Sequence, residues 1–146
     1  MRFFFYGSLM DPDVLSRVIG RRVVASVMVP ASLLGWRRTS IAEGSYPIVL
    51  RDKASRVDGV VVDGISATEA DLLTTYEGPR YRLIRAFADI GGRGPRGVFL
   101  YQPRPGAFTP TDADWSLATW QATHKARFLA ALARAMSAAE RADRRR

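Results

Sequence analysis

Residues Phe3–Met10, FFFYGSLM, combine residue types that could bind an anion or a polarised carbonyl group. The phenylalanines and Tyr6 predict a short buried strand, because aromatic side chains suit an enclosed pleated surface. Gly7 then permits backbone angles that other residues avoid, and Asp11-Pro12 predicts a helix N-cap followed by proline at the first helical position. A strand, a turn and a helix start this close together leave N–H groups facing outward. A core strand with a tight turn is the simpler interpretation.

A second candidate is Glu77, which the sequence places at the end of a helix. Ser66 and Glu69 have the spacing of a capping box, and Gly78-Pro79 should end the helix that they open. A carboxylate at this position meets the negative pole of the helix dipole, which disfavours its charge. A solvated glutamate tolerates that cost, so an ordinary surface role is the alternative.

Several other chemistries are excluded by composition. The absence of cysteine excludes disulfides, thiolate nucleophiles and thiolate metal sites, and it is compatible with the reducing cytoplasm, where we expect the protein to act. His124 is the only histidine, so a multi-histidine metal site is excluded, and nothing indicates that His124 meets Ser8. No apolar run reaches membrane-spanning length and the N-terminus lacks signal-peptide features, so we expect no membrane partner.

The length of 146 residues and the hydrophobic content of 47% predict a single folded domain over residues 1–146. Residues 112–146 are predicted to be a C-terminal helical extension with a basic tail. Residues 124–146 hold seven Lys/Arg and two Asp/Glu, which is +5 of the net charge of +8. A basic helix end is usually a solvated face, so we do not expect nucleic-acid binding as the primary role, although it remains an alternative.

The elements that must position the candidates follow from periodicity. Helices are predicted over Asp11–Ile19, from Ser66 to Glu77, and from Asp112 onward, where apolar residues at helical spacing predict a docking face: Phe128, Leu129, Leu132, Ala133 and Met136. Strands are predicted in five stretches: Arg22–Leu34, Ser45–Leu50, Val57–Ile65, Tyr81–Ile90 and Arg96–Gln102. Gly59, inside the third of these, leaves room for a close approach of another backbone.

Four segments together resemble the γ-glutamylcyclotransferase-like superfamily, including its γ-glutamylamine cyclotransferase and plant avirulence-induced-gene branches. They are Phe5–Leu9, Tyr46-Pro47 before an apolar strand, Gly59 within Val57–Val62, and Leu72…Tyr76-Glu77-Gly78…Tyr81-Arg82. Each is a weak pattern alone, but their order and separation make the combination specific. The resemblance covers residues 2–103 and implies a small mixed α/β (α+β) fold, in which a barrel-like sheet with flanking short helices surrounds a pocket.

Enzymes of this superfamily release 5-oxoproline from a γ-glutamyl compound. The α-amine of the substrate attacks its own γ-carbonyl and expels an amine, with no cofactor. The resemblance assigns Glu77 the acid/base role and gives the γ-glutamyl head to the backbone of the N-terminal loop, that is, Tyr6, Gly7, Ser8, Leu9 and Met10. Tyr46, Tyr81 and Tyr101 are further candidates for substrate binding, with packing in the sheet as the alternative role.

The chemistry of the residues agrees with this assignment. The attacking ammonium must lose a proton and the departing amine must gain one, and one carboxylate can do both if its pKa is raised toward neutrality. Partial burial and the negative helix end would each raise the pKa of Glu77. Two alternatives remain open: removal of a γ-glutamyl group from a specialised small molecule, and a binding or regulatory domain without turnover. The sequence leaves the leaving amine and the oligomeric state open.

Overall fold

The computed structural model describes residues 1–145, and its centre is a closed barrel of five strands. The strands are β1 Phe3–Phe5, β2 Val29–Ser40, β3 Pro47–Val62, β4 Tyr81–Ile90 and β5 Pro95–Pro103. They follow the order β1-β3-β2-β4-β5 around the barrel, and β1 closes it by pairing in parallel with β5. All other pairings are antiparallel. The predicted mixed α/β fold with a barrel-like sheet is therefore confirmed.

The short strand β1 lies fully buried between β3 and β5. Its side chains alternate, so that Phe4 belongs to an apolar cluster built from strand residues while Phe3 and Phe5 belong to one shared with the helices. Gly59 of β3 lies against this strand. A Cβ added there would collide with the Phe5 carbonyl oxygen and come within 2.6 Å of the Phe4 ring. The predicted close approach at Gly59 is confirmed.

Strand β3 corrects the sequence prediction of two short strands at Ser45–Leu50 and Val57–Ile65. It runs unbroken through the polar interval between them, where the Asp52 carboxylate accepts hydrogen bonds from the Ala54 N–H at 3.1 Å and the Ser55 hydroxyl at 2.8 Å. The pairing with β2 shifts in register between Leu34 and Trp36. The extra polar residues on β3 are thus absorbed as a solvated irregularity in one strand.

Strand β2 also begins later than predicted. It starts at Val29, after a single 3-10 turn at Ala25–Val27, whereas the prediction placed strand residues from Arg22 onward. Pro30 pairs with Val60 of β3 inside the strand. The valine-rich composition of residues 22–28 therefore reflects partly exposed loop residues and not a strand.

Four helices pack outside the barrel: α1 Pro12–Ile19, α2 Ala67–Glu77, α3 Leu117–Thr123 and α4 Lys125–Arg144. Asp11 caps α1 by accepting hydrogen bonds from the N–H groups of Asp13 and Val14, as predicted. The capping box of α2 is formed in both directions between Ser66 and Glu69. The capping box fixes the start of α2, the helix whose last residue is Glu77.

The C-terminal segment becomes helical at Leu117, five residues later than the predicted start at Asp112. As predicted for a docking face, Phe128, Leu129 and Leu132 pack against the core cluster that the helices share with the sheet. Exposed side chains dominate the end of α4, and Arg146 of the predicted basic tail lies outside the described residues. No helix within residues 1–145 has the length and apolar character needed to cross a membrane.

Candidate active site

A cavity of about 390 Å³ opens between the loop after β1, the end of α2 and the first residues of β3. It contains both candidates from the sequence, Glu77 and the Gly7–Leu9 turn, which are far apart along the chain and meet in this cavity as predicted. Aromatic side chains supply most of the wall. The lining residues are Phe4, Phe5, Tyr6, Gly7, Ser8, Leu9, Ser45, Tyr46, Pro47, Tyr76, Glu77, Pro79, Arg80, Tyr81, Tyr101, Phe108, Trp120 and Phe128.

Glu77 is the last residue of α2, immediately before Gly78, whose φ of 83° ends the helix. Its side chain is half-buried in the cavity wall, and its carboxylate accepts no hydrogen bond from any group within residues 1–145. Burial raises the pKa of Glu77 to about 8. A carboxyl group in this state exchanges a proton near neutral pH, as a general acid or base must.

Four tyrosines surround this carboxyl group closely enough for its charge to act on them: Tyr6, Tyr76, Tyr81 and Tyr101. Burial first, and the negative charge of Glu77 in addition, raises the pKa of each phenol, to about 12 for Tyr76. All four therefore stay neutral and can donate hydrogen bonds at physiological pH.

The tyrosine hydroxyls that line the cavity differ in whether they have a partner in the protein. Tyr6 donates to the Tyr101 carbonyl oxygen at 2.5 Å, and Tyr101 itself bonds to the Thr74 hydroxyl at 2.8 Å and the Ala70 carbonyl at 3.3 Å. These bonds tie β1 and α2 to β5. By contrast, the hydroxyls of Tyr46 and Tyr81 bond to no group within residues 1–145, although both side chains line the cavity. They are available to a ligand.

The loop after β1 carries unpaired backbone donors. Met10 donates to the Gly7 carbonyl and Asp11 to the Ser8 carbonyl, each at 3.0 Å. The N–H groups of Gly7, Ser8 and Leu9 bond to no acceptor within residues 1–145. Backbone donors without a partner are thus present in three residues that line the cavity. An anionic or polarised oxygen would satisfy them.

The conformation of Gly7 differs from the prediction. Its φ is −127°, so it does not occupy the left-handed region that a glycine turn was expected to need. A Cβ added at Gly7 would lie 3.2 Å from Cδ of Pro47, which is a tight contact. The close passage of Pro47 therefore favours glycine at this position, and it brings the start of β3 against the loop.

The other predicted residues take different positions. Met10 packs against the core and does not line the cavity. Ser8 lies with its hydroxyl 3.4 Å from that of Tyr76. Arg38 supports the loop from outside the cavity lining, because its guanidinium donates to the carbonyl oxygens of Tyr6 at 3.1 Å and Asp58 at 2.9 Å.

Sequence reasoning missed the contribution of the C-terminal third of the chain to the cavity. Phe108 follows β5, Trp120 lies on α3 and Phe128 lies on α4, and all three line the wall. The helical spacing of Phe128 indicated a docking face, and this residue serves both roles. Phe108 stands in a loop without periodicity, so no pattern marked it. Within residues 1–145, no group of three or more His, Asp or Glu side chains is placed to hold a metal ion.

The chain is similar to members of one protein family. Residues 3–117 match the family model described as Gamma-glutamyl cyclotransferase, AIG2-like. AIG2-like protein A of Arabidopsis thaliana is 27% identical over 127 residues, which are 86% of this chain and 75% of that protein. Protein AIG2 C of the same plant is 24% identical over 131 residues, again 86% of this chain and 75% of that protein.

Solved structures show the same fold. A solution structure of an Arabidopsis thaliana protein superposes with a TM-score of 0.63 at 25% identity, covering 94% of this chain and 91% of that one. A structure named Gamma-glutamyl cyclotransferase superposes with a TM-score of 0.57 at 12% identity, over 75% of this chain and 69% of that one. The matched range includes the loop after β1, Glu77 and Tyr81. This chain therefore belongs to the AIG2-like γ-glutamyl cyclotransferase family.

Proposed function

We propose that the protein releases 5-oxoproline and an amine from a γ-glutamyl amine or peptide, with Glu77 as general acid and base. The observation that carries this proposal is an unpaired carboxyl group with a pKa of about 8, in one cavity with unpaired backbone donors. A carboxylate whose pKa is raised this far accepts a proton from the substrate α-ammonium more readily than an ordinary glutamate does, and it can give that proton up again near neutral pH.

The reaction begins with proton transfer from the substrate α-ammonium to the Glu77 carboxylate. The freed nitrogen forms a bond to the γ-carbonyl carbon, which closes a five-membered ring and moves the carbonyl π electrons onto oxygen. When this oxyanion collapses, the bond between the carbon and the leaving nitrogen breaks. The leaving nitrogen takes the proton from Glu77, and the ring nitrogen, which still carries two protons after the attack, gives one of them to the Glu77 carboxylate. Glu77 passes this proton to the released amine or to solvent and so returns to its starting state. The products are 5-oxoproline and a free amine.

The loop after β1 binds the head of the substrate in this scheme. The N–H groups of Gly7, Ser8 and Leu9 donate to its anionic oxygens, the carboxylate and the developing oxyanion. Tyr46 and Tyr81 supply further hydroxyl donors from other parts of the cavity wall. This part of the proposal is supported by the absence of protein partners for these donors within residues 1–145.

The product pattern tests this reaction. The protein is incubated with γ-glutamyl dipeptides, γ-glutamyl amines and glutathione, and 5-oxoproline, free amine and glutamate are quantified together. We expect equal amounts of 5-oxoproline and amine and no glutamate from at least one compound. The N-acetylated form of that compound should be inert, because its nitrogen cannot attack. Release of glutamate would instead indicate hydrolysis by water and contradict the proposal.

A further inference from the structure

We propose that the leaving amine is an arylalkyl amine with no charged group besides its amine nitrogen. It is bound by an aromatic subsite consisting of Tyr46, Tyr81, Phe108 and Phe128. This inference rests on the proposed function, which supplies the γ-glutamyl head and the bond that breaks. It adds the chemical class of the other half of the substrate. Three observations carry it: the contacts among the rings, the placement of the rings around Glu77, and the distribution of charge along the cavity wall.

The first wall of the subsite is a cluster around Phe108. Its ring centroid lies 5.8 Å from that of Tyr46, edge to face, and 5.4 Å from that of Tyr81, with the planes tilted by 46°. All three side chains are only half-buried, although they are large and apolar. A further aromatic ring among them would gain edge-to-face and offset contacts and remove this apolar surface from water.

The second wall lies on the helical side of the cavity. Phe128 of α4 packs edge to face against Trp120 at 5.3 Å and Tyr76 at 6.5 Å. Tyr76 and Glu77 are the last two residues of α2 and both line the cavity, so this wall belongs to the same cavity as the acid that protonates the leaving nitrogen. Phe128 lies beyond residue 117, where the family match ends. The subsite therefore depends on a segment outside the matched part of the chain.

The charges of the cavity wall argue against a cationic leaving group. Among the lining residues within 1–145, the charged side chains are Glu77 and Arg80. The Arg80 guanidinium lies over the Phe108 ring at 5.3 Å, where it extends the aromatic wall. Nearby Glu43 does not line the cavity, and both of its oxygens accept the Thr109 N–H, at 2.6 and 2.9 Å. A second ammonium would find no acidic partner besides Glu77 itself.

A panel of γ-glutamyl conjugates with one head and four leaving amines tests the inference. The amines are phenethylamine, pentylamine, 1,5-diaminopentane and phenylalanine, which differ in ring, ammonium and carboxylate. We expect kcat/KM for the phenethylamine conjugate to exceed those of the pentylamine and diaminopentane conjugates by roughly tenfold or more, the usual discrimination of an apolar pocket. Phe108→Ala should remove most of that preference. Phe87→Ala, on an exposed position of β4, is the matched control and should leave it unchanged.

Binding to Glu77→Gln, measured by calorimetry with the same four conjugates, separates this inference from the proposed function. If the wild type turns over the four conjugates at equal rates, or prefers the diaminopentane or phenylalanine conjugate, the arylalkyl subsite is overturned and the cyclisation still stands. Selective binding of the phenethylamine conjugate, together with no 5-oxoproline release by the wild type from any of the four conjugates, would support the subsite and contradict the cyclisation. Failure of the phenethylamine conjugate to bind more tightly than the pentylamine conjugate would overturn the subsite.

Discussion

Glu77 occupies surroundings that disfavour its charge. Burial in the cavity wall raises its pKa to about 8, and its place at the end of α2 adds the negative pole of the helix. Within residues 1–145, no hydrogen bond to the carboxylate offsets this cost. Such a residue lowers the stability of the folded protein whenever it is ionised, and the proposed acid/base role would account for a carboxyl group at this position.

The stability of the folded protein should therefore depend on pH through Glu77. Between the ordinary pKa of 4.5 and the folded value of about 8, the folded state keeps a proton that the unfolded state has lost, so the free energy of unfolding falls as pH rises. Glu77→Gln removes this dependence. We expect the variant to be more stable than the wild type above pH 8, by on the order of a few kcal/mol, and similar to it near pH 4.

Denaturant unfolding of both proteins at pH 4, 6 and 9 checks this expectation. Glu140→Gln, at an exposed position of α4, is the control and should track the wild type throughout. A stability difference between Glu77→Gln and the wild type that stays constant over this range would show that Glu77 titrates near its ordinary pKa.

At the scale of elements, β5 sets the position of the end of α2. The hydroxyl of Tyr101 bonds to Thr74 and Ala70, which precede Glu77 by three and seven residues on the same helix. Tyr101 also lines the cavity, so substrate contact and helix positioning are both open to it. The hydrogen bonds favour positioning, because its hydroxyl is already bonded to the helix.

Tyr101→Phe should consequently cost about 0.5–1.5 kcal/mol of stability and lower kcat more than it raises KM. Thr74→Val removes the Thr74 hydroxyl, which is the partner of Tyr101 in the shorter of its two hydrogen bonds. A double-mutant cycle on kcat and stability should show coupling, with the double variant less impaired than the sum of the single ones. Additive effects would mean that the bond between these hydroxyls does not position Glu77.

The elements around the site were predictable where local signals are strong. The Asp11 cap with Pro12 and the Ser66–Glu69 capping box gave α1 and α2, because their side chains satisfy backbone groups within a few residues. The continuity of β3 was missed, since its polar interval resembles a loop and the pairing with β2 is formed on either side of that interval and not within it. Gly7 was identified as special for the wrong reason, because its constraint comes from distant Pro47.

At the scale of the whole molecule, Asp11 connects the N-terminal helix to the C-terminal segment. Its side chain is fully buried and accepts from Gln121 and from the Lys125 ammonium, each at 2.8 Å. Burial alone would raise the pKa of Asp11, but these hydrogen bonds hold it below its usual value. The contacts join α1 to α3 and α4, which carry Trp120 and Phe128 into the cavity wall. This long-range connection has no signature in the local sequence.

Removal of the C-terminal tail and substitution of Asp11 should differ sharply in their effect on stability. Removal of residues 140–146 should leave the midpoint of thermal unfolding and any turnover nearly unchanged, because its described residues are exposed and lie past Phe128. Loss of folding on the truncation would contradict a solvated tail. Salt-dependent DNA or RNA binding lost on truncation would support the nucleic-acid alternative.

Asp11→Ala removes a helix cap and a buried ion pair, so it should lower the free energy of unfolding by about 2 kcal/mol or more.

The role of Glu77 is tested most directly by the rate of 5-oxoproline release from one γ-glutamyl amine, compared between the wild type, Glu77→Gln and the Glu140→Gln control. We predict that Glu77→Gln lowers kcat by roughly 10²–10⁴ while KM changes little, because the loop after β1 still binds the head. For the wild type, kcat/KM should rise as pH passes about 8, where the free Glu77 ionises and can accept a proton. Near wild-type kcat in Glu77→Gln, with the same rise in kcat/KM, would contradict the acid/base role.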